Sequence, residues 1–271
     1  MNQPAIPPPA IPSTAATLVL LRDRTTAEVE ALLLQRHAKS KFAAGDYVFA
    51  GGKIEADDMP PDGEGFCRGV TAVQAAARLG GGIAPRDALA CWVGAIREAF
   101  EEVGVLVAYE PGGGLLRITP AAKPRYEAYR AACHKANPAF FDMLRAEKLT
   151  LATDRLSYFA HWITPEEQPL RFDTRFFAAV MPREQEPVVD GHEIVDLKWL
   201  TPAEAISASK RNDIGLRFPT IKNLELVAGG GAPASVAVES LGRLPVQTIR
   251  PRVLQVDGKP LAVLPGDPRW Y

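Results

Sequence analysis

The sequence predicts an α/β domain built on a mixed sheet, and three observations carry that prediction. Strand-length apolar runs stand at 14–21 and 29–36 and again at 156–163, 171–180 and 194–200. Between the two groups lies one long amphipathic helix, Asp87 to Val103, in which Trp92, Ile96, Ala99, Phe100 and Val103 recur at three- and four-residue steps. With 271 residues and 47% hydrophobic content, the chain can bury roughly three quarters of its unfolded surface without disulfides or metal staples.

The elements follow in order. Residues 1–13 form a Pro-rich arm, expected to be disordered. Thr14 to Leu21 and Val29 to Arg36 are apolar almost throughout, as strands buried on both faces are, and the polar 22–28 segment turns them into a hairpin. Tyr47 to Phe49 is a brief third strand, expected to stop at Gly51-Gly52, where the missing Cβ atoms permit a sharp turn or a close approach. Residues 59–84, with Pro60-Pro61 and Gly80-Gly81-Gly82 around a short helix at 73–79, read as an insertion, expected to form either a mobile cap that selects the substrate or a passive surface elaboration. Gly104 ends the long helix. A strand at 105–108 follows, then a helical segment at 126–143 broken at Asn137-Pro138. Thr201, Pro202 and Glu204 supply the N-cap, first position and third position of another helix. The body is expected to span 14–228, and a tail over 229–271 carries a hairpin turning at Asp257-Gly258.

Charge and composition exclude several classes of function. Thirty-one basic against 32 acidic residues leave a net charge of −1, without the broad basic surface a nucleic-acid binder needs. No apolar run approaches the roughly 20 residues of a membrane span. Met1 to Pro12 has five prolines and no basic residue, unlike an export signal, so a cytoplasmic location is expected. Cys67, Cys91 and Cys133 form an odd set without a CxxC pair and read as buried thiols.

Chemistry concentrates in Arg97-Glu98-Ala-Phe-Glu101-Glu102. Carboxylates at i, i+3 and i+4 fall within about 100° of arc on one helix face and repel one another. Such a set needs either full solvation or a cation, and hard oxygen donors select Mg²⁺ or Mn²⁺ over zinc.

Taken together, Gly52-Lys-Ile-Glu-Ala-Asp-Asp58 and Arg97-Glu98-Ala-Phe-Glu101-Glu102-Val-Gly104-Val105 resemble the Nudix box. Asp58 stands where that family usually has Glu, and 38 residues separate it from Arg97 in place of seven. The interrupted box, with Tyr47-Val-Phe-Ala-Gly-Gly-Lys before it and Arg171-Phe-Asp-Thr-Arg-Phe-Phe-Ala178 after it, is similar to the nudix hydrolase 19 branch, typified by the mammalian peroxisomal coenzyme A diphosphatase. The resemblance covers about residues 14–225; Ala50 replaces the branch's usual Pro, and Arg269-Trp270-Tyr271 is no peroxisomal tripeptide.

The resemblance implies a Nudix fold with a mixed sheet sandwiched between helices, and a site in which Glu98, Glu101, Glu102 and the Gly52 carbonyl hold the metal. It implies that Arg97 ties the helix to the glycine loop, and that the general base is either a box glutamate such as Glu101 or an acid from a later loop, for which Glu193 is the candidate. Arg36, Lys39 and Lys41 stand where substrate phosphates can be met; solvated surface is the simpler reading of the lysines. The implied activity is Mg²⁺- or Mn²⁺-dependent hydrolysis of a nucleoside diphosphate joined to another moiety, with CoA or acyl-CoA favoured. ADP-ribose or dinucleotide pyrophosphatase activity and a non-catalytic nucleotide sensor are the alternatives. The expected partner is a small-molecule nucleotide, with no nucleic acid and no membrane; the oligomeric state stays open, a homodimer included.

Overall fold

The computed structural model describes residues 10–228, 231–256 and 258–270. In chain order the strands are β1 (Ser13–Asp23), β2 (Val29–Arg36), β3 (Tyr47–Val48), β4 (Ala50–Lys53), β5 (Ala108–Tyr109), β6 (Thr150–Leu151), β7 (Ser157–Ile163), β8 (Phe172–Val180), β9 (Ile194–Leu200), β10 (Thr248–Ile249), β11 (Arg252–Val256) and β12 (Lys259–Val263). The α-helices are α1 (Ala72–Leu79), α2 (Pro85–Val103), α3 (Lys123–Cys133), α4 (Pro138–Glu147), α5 (Pro202–Lys210), α6 (Phe218–Val227) and α7 (Ala234–Leu241).

The sheet is mixed, as predicted, and β1 is its hub. On one edge β1 runs parallel to β8 from Ser13↔Phe172 to Leu21↔Val180, and β7 and β10 continue that side. Its other edge is shared: residues 15–18 pair with β4 and residues 21–23 with β2, which in turn pairs with β9 and β3. Period-two alternation sorts the apolar run of each central strand into two cores. Leu18 and Leu20 of β1, Leu32 and Leu34 of β2, and Phe177 of β8 meet Trp92, Ile96 and Phe100 of α2. Val19, Leu21, Leu33 and Phe176 face the opposite way, onto Ala205, Leu224, Val227 and Leu241 of α5, α6 and α7. Both faces of the sheet are therefore dry, which is why no polar residue interrupts Leu18 to Leu21.

Two differences from the sequence reading have physical causes. The glycines do not stop the third strand: β4 runs through Gly51 and Gly52, pairing them with Thr17 and Ala16. A Cβ on Gly51 would lie 2.6 Å from the Ala16 carbonyl oxygen, so glycine is what lets the two backbones meet. The strand predicted at 105–108 shrinks to β5, because the Leu106 N–H and C=O bond to the amide side chain of Gln185 and not to a neighbouring strand. The helical segment at 126–143 is broken at Asn137-Pro138, as expected, into α3 and α4, the second starting at Pro138. Of the two readings of the insertion at 59–84, its packing on the body fits the surface elaboration. Met59, Val70 and Ala75 are buried in the α2 core, Arg86 Nε donates to the Met59 carbonyl (2.9 Å), and the Arg68 carbonyl accepts from Thr153 Oγ1 (2.7 Å).

Residues 1–9 of the Pro-rich arm, Gly229 and Gly230 of the glycine run and Asp257 of the hairpin turn lie outside the described residues. Beyond the glycine run, α7 lies on β7 and β8, and the Ala234 N–H donates to Asp23 Oδ1 (2.6 Å). β11 and β12 form the predicted hairpin of the tail. The three cysteines are free, and burial pushes each thiol up to about 12. Among the described residues no helix is long and apolar enough to cross a membrane.

Candidate active site

Helix α2 is buried almost all round from Ala88 to Val103, with the sheet on one side and α1 and α3 on others, and turns its last two turns toward β4. Gly104, at φ 72°, closes it in the left-handed conformation, with its N–H returning to the Phe100 carbonyl (2.8 Å). Arg97 is the strut between helix and glycine strand. It is 3% exposed, and its Nε and Nη2 grip Asp58 Oδ1 (2.5 Å) and Oδ2 (3.0 Å) as a fork. Nη2 also donates to the Lys53 carbonyl (3.0 Å), and Nη1 reaches Glu101 Oε2 (2.8 Å) and Glu98 Oε1 (2.9 Å). Burial opposes the charge on this guanidinium, but Asp58, Glu98 and Glu101 outweigh it and hold Arg97 more firmly protonated than a free arginine. Asp58 is itself 1% exposed and accepts the Glu55 N–H (2.8 Å), which locks the turn leading out of β4.

The glutamates fan out from this strut. Glu98 lies against Gly52, where a Cβ would sit 2.5 Å from Glu98 Oε1. Glu102 accepts the Gly51 N–H through Oε2 (3.0 Å), and its Oε1 lies 3.7 Å from Arg36 Nη1. Glu101 gives one oxygen to Arg97; its Oε1 is buried without a hydrogen-bond partner. Burial pushes Glu98 up to about 7 against the pull of Arg97. It pushes Glu102 well above the usual carboxylate range, with Glu98 adding to the rise, and raises Glu101 as well.

Glu193 is exposed, and its charge is close enough to contribute to the rise at Glu102. Its backbone is pinned on both sides: His37 N–H donates to its carbonyl (2.8 Å), and its own N–H donates to Asp190 Oδ1 (3.1 Å). The structure thus brings together Gly52, Arg97, Glu98, Glu101, Glu102 and Glu193, with Arg36 among them. Lys39 and Lys41 stay exposed. His161 is buried between Asp173 and Thr248 Oγ1.

These residues fit a hard divalent cation. Four carboxylates, Asp58, Glu98, Glu101 and Glu102, face two guanidiniums, Arg97 and Arg36, in a pocket that solvates them poorly. Excess negative charge, oxygen-only donors and one orphaned carboxylate oxygen are what such an ion satisfies. Among the described residues, no three Asp, Glu, His or Cys side chains already converge as a closed cage. Gly52 is the sharpest test of the arrangement, because its backbone is open to any residue and only the space beside Glu98 forbids a side chain. Gly52→Ala should displace the Glu98 carboxylate, lowering kcat by about tenfold or more while Tm moves by a few degrees. Wild-type turnover in this variant would remove Glu98 from the site.

A mixed sheet between helix layers, with a carboxylate-bearing helix strutted to a glycine strand, defines a Nudix-type domain. The model of the family described as "NUDT19 Nudix domain" matches residues 12–227, and the chain belongs to that family. It is 26% identical over 231 residues to the acyl-coenzyme A diphosphatase NUDT19 of Xenopus laevis, covering 75% of this chain and 60% of that protein. It is 27% identical over 272 residues to the human protein of the same name, covering 87% and 71%. Among solved structures, a NUDIX hydrolase from Alicyclobacillus acidocaldarius superposes with a TM-score of 0.69 at 26% identity, covering 87% of this chain and 99% of that one. Nudix hydrolases generally use divalent metal ions.

Proposed function

We propose that this chain hydrolyses the diphosphate link of a nucleoside diphosphate joined to another moiety, with CoA or acyl-CoA as substrate and Mg²⁺ or Mn²⁺ as the ion. The observation that carries this reading is the buried carboxylate excess against the glycine strand, a charge distribution that is unfavourable unless a cation joins it, and that cation is what a diphosphate can bind to. The names of the relatives, acyl-coenzyme A diphosphatases, support the choice of substrate.

Glu98, Glu101, Glu102 and the Gly52 carbonyl would hold the ion. Bound there, a divalent cation offsets charge on the non-bridging phosphate oxygens and makes water easier to deprotonate. Arg97 keeps the helix and the glycine strand at fixed separation, so the carboxylates do not collapse or splay. In the reaction a water oxygen bonds to phosphorus, the bridging P–O bond breaks, and the water's proton passes to a carboxylate. Glu193 is suited to take it, since its solvated carboxylate is free of the Arg97 network that occupies Glu101.

The test is product release from CoA, acyl-CoA, ADP-ribose, NADH and nucleoside triphosphates with Mg²⁺, Mn²⁺ or EDTA. 3′,5′-ADP from CoA or acyl-CoA at the highest kcat/KM of the set, abolished by EDTA, is the expected result. Preference for ADP-ribose or NADH would replace the substrate, and turnover in EDTA would sink the metal role.

A further inference from the structure

The last carbonyls of a helix have no partner within it and must find one elsewhere. At the end of α2 the accounting is complete, and the partners come from two distant segments. Ala99 and Phe100 are answered by Val105 and Gly104. The Val103 carbonyl accepts from the Val188 N–H (2.9 Å). The Glu101 and Glu102 carbonyls, the backbone of two of the three box glutamates, are both answered by Arg130 of α3: Nε to Glu101 (2.7 Å) and Nη2 to Glu102 (2.6 Å).

The third nitrogen of the same guanidinium, Nη1, donates to the Val188 carbonyl (2.8 Å). Val188 is therefore held to α2 through its N–H and to Arg130 through its C=O. Two residues on, Asp190 gathers the N–H groups of His192 (2.9 Å), Glu193 (3.1 Å) and Ile194 (2.9 Å) around Oδ1, shaping the turn that presents Glu193. Upstream, Gln185 anchors the same loop by bonding Leu106 and Leu116 carbonyls (3.0 and 2.9 Å). Arg130 also lies close enough to Asp190 for each charge to favour the other.

We propose that Arg130 is a positioning residue: one side chain bolts the loop that presents Glu193 to the helix that presents Glu101 and Glu102, and so sets the separation between base and carboxylates. The planar fork suits the task, since three acceptors in three directions are within reach of a guanidinium and not of a lysine ammonium at one point. The inference rests on the proposed role of Glu193.

The experiment compares Arg130→Met, which keeps the apolar stem, with Arg130→Lys, measuring kcat, KM, Tm and amide hydrogen exchange with and without Mg²⁺. Arg130→Met is expected to lower kcat by about tenfold to a hundredfold with KM changed by less than about threefold, and Arg130→Lys to recover part of that loss. Exchange should quicken over 187–194 in both the Mg²⁺-loaded and metal-free protein, while the interior of α2 stays protected. Loosening of α2 and α3 as a whole, or wild-type kcat in a folded Arg130→Met, overturns the inference in favour of simple helix capping. Glu193→Gln separates it from the reading on which it rests. If Glu193 is the base, Arg130→Met adds little in the Glu193→Gln background. If Glu193→Gln retains turnover within a few-fold of wild type while Arg130→Met does not, Glu193 loses its role and the bolt acts on the box carboxylates alone. If Glu193→Gln is inactive and Arg130→Met is not, the bolt is refuted and the base stands.

Discussion

Glu102→Gln should cost roughly a hundredfold or more in kcat and, with no metal present, make the protein more stable. Both parts follow from one geometry. The Glu102 carboxylate is 4% exposed, its one backbone donor is Gly51, and its cationic neighbour, Arg36, is 3.7 Å away. A glutamine keeps the Gly51 bond through its amide oxygen and removes a charge that the metal-free fold holds at a loss. The pH dependence has a definite sign. Glu98 rises to about 7 in the fold and Glu102 rises also, so between the ordinary carboxylate range and neutrality the folded chain binds protons that the unfolded chain has released. Stability in EDTA therefore falls as pH rises through that window. Glu102→Gln should show a shallower fall, and saturating Mg²⁺ or Mn²⁺ should restore wild type by mass action but not the variant. Thermal unfolding against pH, with EDTA and with metal, reads out all of this. Identical pH profiles for the two proteins would mean that the Glu102 carboxylate is already neutralised by Arg36 alone.

What the sequence makes legible here is what depends on short spacing. Glu98, Glu101 and Glu102 share a face because a helix has 3.6 residues per turn, and Gly104 ends that helix because only glycine takes its φ of 72° without strain. The bipartite box was readable because its two halves keep their internal spacing even with an insertion between them. The partnership of Asp58 with Arg97 depends on how 38 intervening residues fold; the resemblance located both residues but not the fork between them. Gly51 and Gly52 were misread as a strand end, since a glycine pair signals close approach without saying to what. Here the partners are β1 on one side and Glu98 on the other. Arg130 and Gln185 were invisible for a different reason. Their contacts are to backbone carbonyls and N–H groups, which every residue carries, so no pairing of side-chain types betrays them. The packing of the insertion was hidden likewise, because its apolar residues, Met59, Phe66, Val70 and Ala75 among them, follow no sustained period and the rest of its seal is backbone bonds around Arg68.

Asp58→Ala is expected to produce the largest loss of stability among the site variants, about 3–5 kcal/mol, because it breaks a buried ion pair from one side only. Arg97 cannot neutralise itself, and without Asp58 its Nε has no acceptor, while Glu98 and Glu101 engage the opposite edge of the fork. The Glu55 N–H loses its acceptor in the same substitution, releasing the turn that carries the chain from β4 into the insertion. Against a total stability of about 5–15 kcal/mol, such a loss is large, and at roughly 2–4 °C per kcal/mol for a chain of this size it should lower Tm by about 10 °C. The double variant Asp58→Ala, Arg97→Met separates the mechanism from mere loss of contact. If the cost comes from stranding a buried cation, removing the cation as well should return part of the stability, so the double variant lies above the sum of the two singles. It should nevertheless remain inactive, because α2 would then be held to β4 only by the Glu102–Gly51 bond and by packing. A drop below about 1 kcal/mol for Asp58→Ala would mean that water reaches Arg97 and replaces the carboxylate, and the strut between helix and glycine strand would have to be sought in the packing of α2 on β1 and β4 instead.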